Sequence, residues 1–340
     1  MNCDINSKEF AISTQVRFYR NVSDIKFTSK ISKDDADDIN HHAAMTAEAL
    51  WGDGKYTSEH LLDRFENPYI KHTDYVPLPN DKNIVRGLFT SPDGMSTILT
   101  NECEHLIISG NAEGYDIDTA YTNACETVNS LSKHMPFATS DSLGFLTANP
   151  DCVGLGMTVS VLVHIPGICI SPIHEKLKEK IEEFGVSMDP FYCDKKFPFG
   201  AMFYISNKYS LGLTEEEAIS SVKEAMKYII DRESDHRSWL TGSKKALTQD
   251  AVWRSLGLLS CSRRLNPAEF MVNISNVRFG AETSEFNIPF ETIDEIFRKG
   301  SVQYIKKYMM LHDIEPNEST DTVRARIMRE EFSPILKSIL

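Results

Sequence analysis

The chain has 340 residues, 41% hydrophobic and 25% charged, the balance of a globular protein with room for one large domain and a smaller companion. Its 49 acidic and 36 basic residues give a net charge of −13, and a surface so acidic repels phosphate backbones, which argues against general nucleic-acid binding. No run approaches the roughly 18 uninterrupted apolar residues of a membrane span, and MNCDINSKEF lacks the basic and apolar stretches of a secretory signal, so no membrane partner and a cytoplasmic location are expected.

In chain order, AISTQVRFYRNV at 11–22 alternates through Ile12, Thr14, Val16 and Phe18, the period of a half-buried strand. The acidic stretch DDADDINHHAAM reads as helix, on which the adjacent His41 and His42 diverge and share no face for a metal. Further strands are predicted for STILT at 96–100, TVSVLVHI at 158–165 and AMFYIS at 201–206. Ser171-Pro172 is a helix start, and the helix IHEKLKEKIEEF should end before Gly185. Thr214 and Glu217 form a capping box for a helix whose apolar stripe is Ile219, Val222, Met226, Ile229 and Ile230. Beyond residue 240 the pattern is helical at 246–260, 290–298, 301–311 and 320–339. This shift from mixed to helical composition places a boundary near 235–248, in the polar run RESDHRSWLTGSKK, dividing 1–240 from 241–340.

Seven cysteines, an odd number at irregular spacing without C-x-x-C, argue against structural zinc and a disulfide framework, and no metal site is expected. There is no phosphate loop, dinucleotide fingerprint, nucleophile elbow or H-E-x-x-H helix. Gly154-Leu155-Gly156 is a short Gly-rich turn, read as a chain reversal before a phosphate cradle. In NECEHL at 101–106, Cys103 and His105 would share a face if the run is a strand, which makes a thiol–imidazole pair conceivable. The neighbouring Glu102 and Glu104 would raise the thiol pKa, however, and a bystander cysteine is the simpler reading.

Several segments together resemble the phosphagen kinases, which move phosphoryl groups between ATP and guanidino groups. STQVRFYRN, from Ser13, is similar to that family's S-[ST]-R-[IV]-R-x-x-R-N strand, and LTNECEHL to its N-E-E-D-H-[LI]-R segment. LGFLTANPDCVGLGMTVSVLVHIP at 143–166 and ISNKYSLGLTEEE at 205–217 resemble two further family elements in the right order. The bacterial protein-arginine kinases are the branch most resembled. Their strand motif also lies at the start, where creatine and arginine kinases carry a preceding helical domain, and RSLGLLSCSRRL and SNVRFGAE are similar to their helical tail. The resemblance implies an α+β fold: a mainly antiparallel sheet flanked by helices, followed by a helical domain. It also implies ATP with Mg as the cofactor, and a homodimer.

The same resemblance implies a site with its chemistry altered. The carboxylate that holds the guanidinium and can act as base falls on Cys103, between the retained Glu102 and His105. Of the arginines that surround the phosphates, one is retained as Arg17, while Gln15, Ile107, Thr158 and, counting back from I-S-N, Tyr192 stand at the others. A cysteine near the guanidinium is replaced by Asn149, and Phe197 falls near a mobile-loop glutamate; Ser160 is kept. Lys195 and Lys196 lie close enough to supply part of the missing charge. An arginine on a transferring phosphate can be worth roughly 10³–10⁵ in rate, and losses within one cage do not multiply. In the tail, Asp321 and Arg324 stand where the protein-arginine kinases bind phosphoarginine, with Thr320 at a flanking arginine; an intrahelical ion pair is the plainer alternative. The expectation is a pseudokinase that binds phosphoarginine-bearing proteins or an active kinase. The rivals are a working ATP:guanidino phosphotransferase with a rebuilt site and a structural subunit.

Overall fold

Alternation in the first strand organises the sheet. In the computed structural model, which describes residues 7–52, 55–58, 84–171, 173–194, 197–285, 287–315 and 317–339, the short helix α1 (Ser7–Phe10) leads into β1 (Ala11–Arg20). Val16 and Phe18 enter the core, while Gln15, Arg17 and Tyr19 take the other face. The remaining main strands are β2 (Lys55–Ser58), β3 (Gly87–Thr90), β4 (Ser96–Thr100), β5 (Leu106–Glu113), β8 (Met157–His164), β9 (Val186–Pro190) and β12 (Met202–Asn207). They form one antiparallel sheet in the order β2-β3-β4-β5-β1-β8-β12-β9, while the two-residue pairs β6 (Thr139–Ser140) with β7 (Gly144–Phe145) and β10 (Cys193–Asp194) with β11 (Phe197–Pro198) make separate ribbons.

One face of the sheet is covered by α2 (Lys33–Trp51), α3 (Ile117–Ser132), α5 (Ile173–Glu183) and α6 (Glu215–Thr241), with the short α4 (Pro166–Ile170) at its end. Their apolar stripes close over Val16, Phe18, Ile98, Ile108, Val159, Val161 and Ile205, which are at most 1% exposed. Contact between β5 and α3 depends on Gly110, where a Cβ would stand 2.1 Å from the Ala120 carbonyl oxygen and 2.4 Å from the Ala124 nitrogen.

The polar run at 235–248 does not break the chain before the helix ends. Helix α6 continues to Thr241 because Glu233, Arg237 and Leu240 carry the buried stripe of Val222, Met226 and Ile229 onward at helical spacing. Polarity concealed that continuation from a reading based on apolar periodicity. The capping box of Thr214 and Glu217 is formed as its sequence predicts.

The helical region comprises α7 (Lys245–Cys261), α8 (Pro267–Glu282), α9 (Phe290–Lys299), α10 (Val302–Leu311) and α11 (Thr320–Ile339). Sequence periodicity anticipates four of the five. It misses α8, whose residues 270, 271, 273–275 and 277–281 are all buried, leaving no polar face to create a period. This region packs on the sheet through Leu162 and Met202 and is locked to it by buried charges. Glu282 of α8 meets His164 Nδ1 of β8 at 2.9 Å, Arg237 Nη1 of α6 at 2.9 Å and Arg278 of its own helix. Arg237 also pairs with Glu233 at 2.8 Å and Arg278 with Asp294 of α9 at 2.9 Å, while His164 Nε2 lies 2.9 Å from Ser275 Oγ. Among the described residues no helix is long and apolar enough to cross a membrane.

Candidate active site

Strand register sets the candidate site on the sheet face opposite helices α2, α3, α5 and α6. Two polar rows cross it: Thr97, Ser109, Arg17 and Thr158 in one, and Asn111, Gln15, Ser160 and Ser206 in the next. A third row is apolar, with Leu88, Leu99, Ile107 and Tyr19 clustered beside Cys103. Arg17 is 3% exposed and stands opposite Ser109 and Thr158. Gln15 donates to Asn111 Oδ1 at 2.7 Å, and Ser206 to Ser160 Oγ at 2.8 Å. The positions adjoining Arg17 therefore hold neutral groups, several of them hydrogen-bonded to one another.

Asn101–His105 of NECEHL form the tight loop between β4 and β5 rather than a strand, and Leu106 begins β5. Asn101, with φ 56, turns the chain into the left-handed region that asparagine tolerates, and this breaks the period-two relation between Cys103 and His105. Each side chain then goes a separate way. Glu102 is buried 3.8 Å from Arg86, a residue just before β3 that the sequence reading did not single out. Cys103 is half-buried in the apolar cluster.

Glu104 turns toward the loop after β7, where it accepts from Asn21 Nδ2 at 2.5 Å, the Ala148 nitrogen at 2.8 Å and the Asn149 nitrogen at 3.0 Å. Burial pushes its pKa above the ordinary carboxylate value, and these donors act in the opposite direction. His105 is fully buried; its Nδ1 accepts from the Val22 nitrogen at 3.0 Å and its Nε2 meets the Lys26 carbonyl at 2.9 Å. Burial lowers its pKa. Both ring nitrogens thus fix the path of the chain after β1, so the imidazole positions backbone here.

The other predicted residues are spread around this face. Ser13 lies at a register shift of β1, paired with Glu113 and Leu162. Asn149 caps a 3₁₀ turn by accepting from the Asp151 nitrogen at 3.1 Å. Tyr192 packs with Phe199, ring centroids 6.3 Å apart, on the helical-region cluster. Lys195 and Lys196 lie outside the described residues.

The Gly154–Gly156 turn is held by Arg20, whose Nη1 donates to the carbonyls of Tyr19, Leu155 and Gly156 at 2.9, 3.1 and 2.8 Å while its guanidinium lies 3.6 Å from the Phe145 ring centroid. Burial lowers its pKa to about 10, leaving it charged at neutral pH. That arginine is the last of V-R-x-x-R, and its spacing was the signal available for finding it.

In the helical region Arg324 is 1% exposed and donates to the carbonyls of Gly300 at 2.9 Å and Leu265 at 2.8 Å, besides Asp321 at 3.1 Å. Asp321, 23% exposed, also lies 3.7 Å from the exposed Arg264. The predicted pair is brought together, with its arginine anchored to backbone.

The chain belongs to the ATP:guanido phosphotransferase family: residues 26–236 match the model of its C-terminal catalytic domain, and residues 245–338 match that of the C-terminal domain of protein-arginine kinase McsB. It is 28% identical over 341 residues to a protein-arginine kinase of Pelotomaculum thermopropionicum, covering 98% of this chain and 95% of that one. A protein-arginine kinase of Clostridium acetobutylicum is 27% identical over 293 residues, 84% of this chain and 86% of its own. Among solved structures, the duplicated taurocyamine kinase of Schistosoma mansoni aligns with TM-score 0.58 and 26% identity over 66% of this chain, which spans only 33% of that one. Lombricine kinase shares the fold, with TM-score 0.59 at 16% identity over 67% of each chain.

A family cofactor of ATP with magnesium makes a specific demand of such a face, namely fixed positive charge around the triphosphate. Of the family-matched phosphate positions, Arg17 alone carries charge; Gln15, Ile107, Thr158 and Tyr192 carry none. Arg86 adds a guanidinium nearby, beside the Glu102 carboxylate. Among the described residues no group of three or more His, Cys, Asp or Glu side chains could hold a metal ion. Among the described residues these positions do not match the charge of Mg·ATP, so no transfer step is derived through it.

Proposed function

We propose that this chain is a protein-arginine-kinase homologue that has lost phosphoryl transfer and acts by binding. The observation that carries the reading is the apolar cluster of Leu88, Leu99, Ile107, Tyr19 and Cys103, which occupies the positions of a family arginine and of the guanidinium-binding carboxylate. A thiol cannot pair two guanidinium N–H groups as a carboxylate does. The Gln15–Asn111 hydrogen bond similarly fills a cage position with a neutral pair. In this reading the partners are phosphoarginine-bearing proteins, engaged around Asp321, or an active protein-arginine kinase.

The second reading, a transferase with a rebuilt site, is favoured by Arg17 on the polar face of the sheet and by Arg86 beside Glu102. Incubation of the protein with labelled ATP and an arginine-rich protein separates the two. No acid-labile label is expected on arginine; label that appears only when this chain is added would sink the proposal. A calorimetric titration with Mg·ATP completes the test, since saturable heat abolished by Arg17→Ala would show surviving nucleotide binding.

A further inference from the structure

Two arginines hold Asp321, at the corner where the loop 262–266 meets the start of α11, and they differ in how firmly they are placed. Arg324 Nη1 donates to Asp321 Oδ1 at 3.1 Å, and Arg264 Nη2 stands 3.7 Å from Oδ2. Arg324 is 1% exposed and fixed by its bonds to the carbonyls of Gly300 and Leu265. Arg264 is 74% exposed, and 3.7 Å exceeds hydrogen-bond length, so charge alone draws it to Asp321 and little is lost when it leaves. Only the backbone beneath it is tied to α11: the Leu265 nitrogen donates to the Asp321 carbonyl at 3.1 Å, and Arg329 Nη1 to the Ser262 carbonyl at 2.5 Å. Positive charge is in excess at this corner. Burial, and then the charges of Arg263 and Arg326, lower the pKa of Arg329. Arg326 is paired with Glu318, and Glu330 offsets part of the charge on Arg329, which leaves Arg263, Arg264 and Arg324 against Asp321. In a chain of net charge −13, three cations around one carboxylate make a local attraction for an anion.

We propose that Arg264 decides the specificity of this site by changing partner, leaving Asp321 for the phosphoryl group when a phosphoarginine side chain binds. The inference rests on the reading of Asp321 as a phosphoarginine contact, and adds a residue that the family match does not supply. Thr320, at the family's flanking arginine, brings no charge, and Arg324 is committed to backbone, whereas Arg264 comes from a different segment. The ligand's guanidinium pairs with Asp321 and displaces Arg264, whose planar fork then matches the phosphoryl oxygens. Each charge is answered by one of opposite sign. Unmodified arginine has no second group to offer: its guanidinium and that of Arg264 compete for the same carboxylate, and whichever is displaced remains a cation among cations. The same exchange therefore favours the phosphorylated side chain and disfavours the plain one.

Fluorescence anisotropy of the full chain with a labelled peptide carrying one phosphoarginine, and with its unphosphorylated twin, tests the exchange. The wild type should prefer the phosphopeptide. Arg264→Ala should weaken phosphopeptide binding about tenfold, the loss of one charge-assisted contact, while the twin binds at least as well as before because its competitor for Asp321 is gone. Arg264→Glu should reverse the preference, and Arg264→Lys should restore part of it, since an ammonium keeps the charge without the fork. Asp321→Asn should weaken both peptides. Melting temperatures of the Arg264 variants should match wild type, because the side chain is exposed; the ratio of the two affinities is the readout that a merely structural role would leave unmoved. Wild-type protein that binds neither peptide, or binding indifferent to Asp321→Asn, would overturn the phosphoarginine reading and this inference with it. Binding that Asp321→Asn weakens, with an affinity ratio unchanged in Arg264→Ala, would overturn the role of Arg264 alone.

Discussion

The buried carboxylate of Glu282 joins the sheet to the helical region, and Glu282→Gln tests how much that joint contributes. In the native chain the carboxylate, 1% exposed, accepts from Arg278, is ion-paired with Arg237 at 2.9 Å and lies 2.9 Å from His164 Nδ1. Surrounding cations hold its pKa below the ordinary value despite burial, so it is ionised at neutral pH. Glutamine keeps the shape but replaces one acceptor oxygen with an N–H donor facing a guanidinium donor. Breaking one partner out of a buried ion pair costs about 3–5 kcal/mol. Arg237 retains Glu233 and Arg278 retains Asp294, which places this loss near the lower end, about 3 kcal/mol. For a chain of this size that corresponds to a fall in Tm of about 5 °C. Differential scanning calorimetry reads the shift, and hydrogen exchange should localise added opening to α8 and β8. A variant melting together with the wild type, with unchanged exchange, would refute the claim that this network stabilises the joint.

His105 provides a pH test. Its folded pKa lies below 6.5, so the ring is neutral in the fold and the unfolded chain binds the extra proton; the stability it contributes is present above that value and lost as pH falls toward the folded pKa. The drop in Tm between about pH 7.5 and 5 should therefore be smaller in His105→Gln than in wild type, with His164, also depressed by burial, supplying what slope remains. Arg324→Ala should cost about 2–5 kcal/mol in urea unfolding, because two buried carbonyls, of Gly300 and Leu265, lose their donor. Asp321→Asn, at a partly exposed position, should stay within about 1 kcal/mol of wild type. Phosphoarginine binding is then best tested with Asp321→Asn, whose fold survives.

Local chemistry made much of this protein legible from its sequence alone. Strand alternation at 11–20, the Thr214–Glu217 capping box and the amphipathic periods of α9 and α11 are encoded in neighbours within one or two turns, and they recur in the fold. Motif order also located the family, and strand register places Gln15, Arg17, Ile107 and Thr158 on one face of β1, β5 and β8. What needed the tertiary structure was the direction of each polar side chain. Glu102, Cys103, Glu104 and His105 are adjacent in sequence, yet the bends of the loop that opens at Asn101 send them to Arg86, an apolar cluster, a distant loop and the backbone after β1. Likewise α8 was hidden because it is buried nearly all round, and the end of α6 because buried ion pairs replace leucines on its inner face. Periodicity registers which residues avoid water when they are apolar; it is blind to charges that avoid water by finding one another, and those partners are chosen only when distant segments fold together.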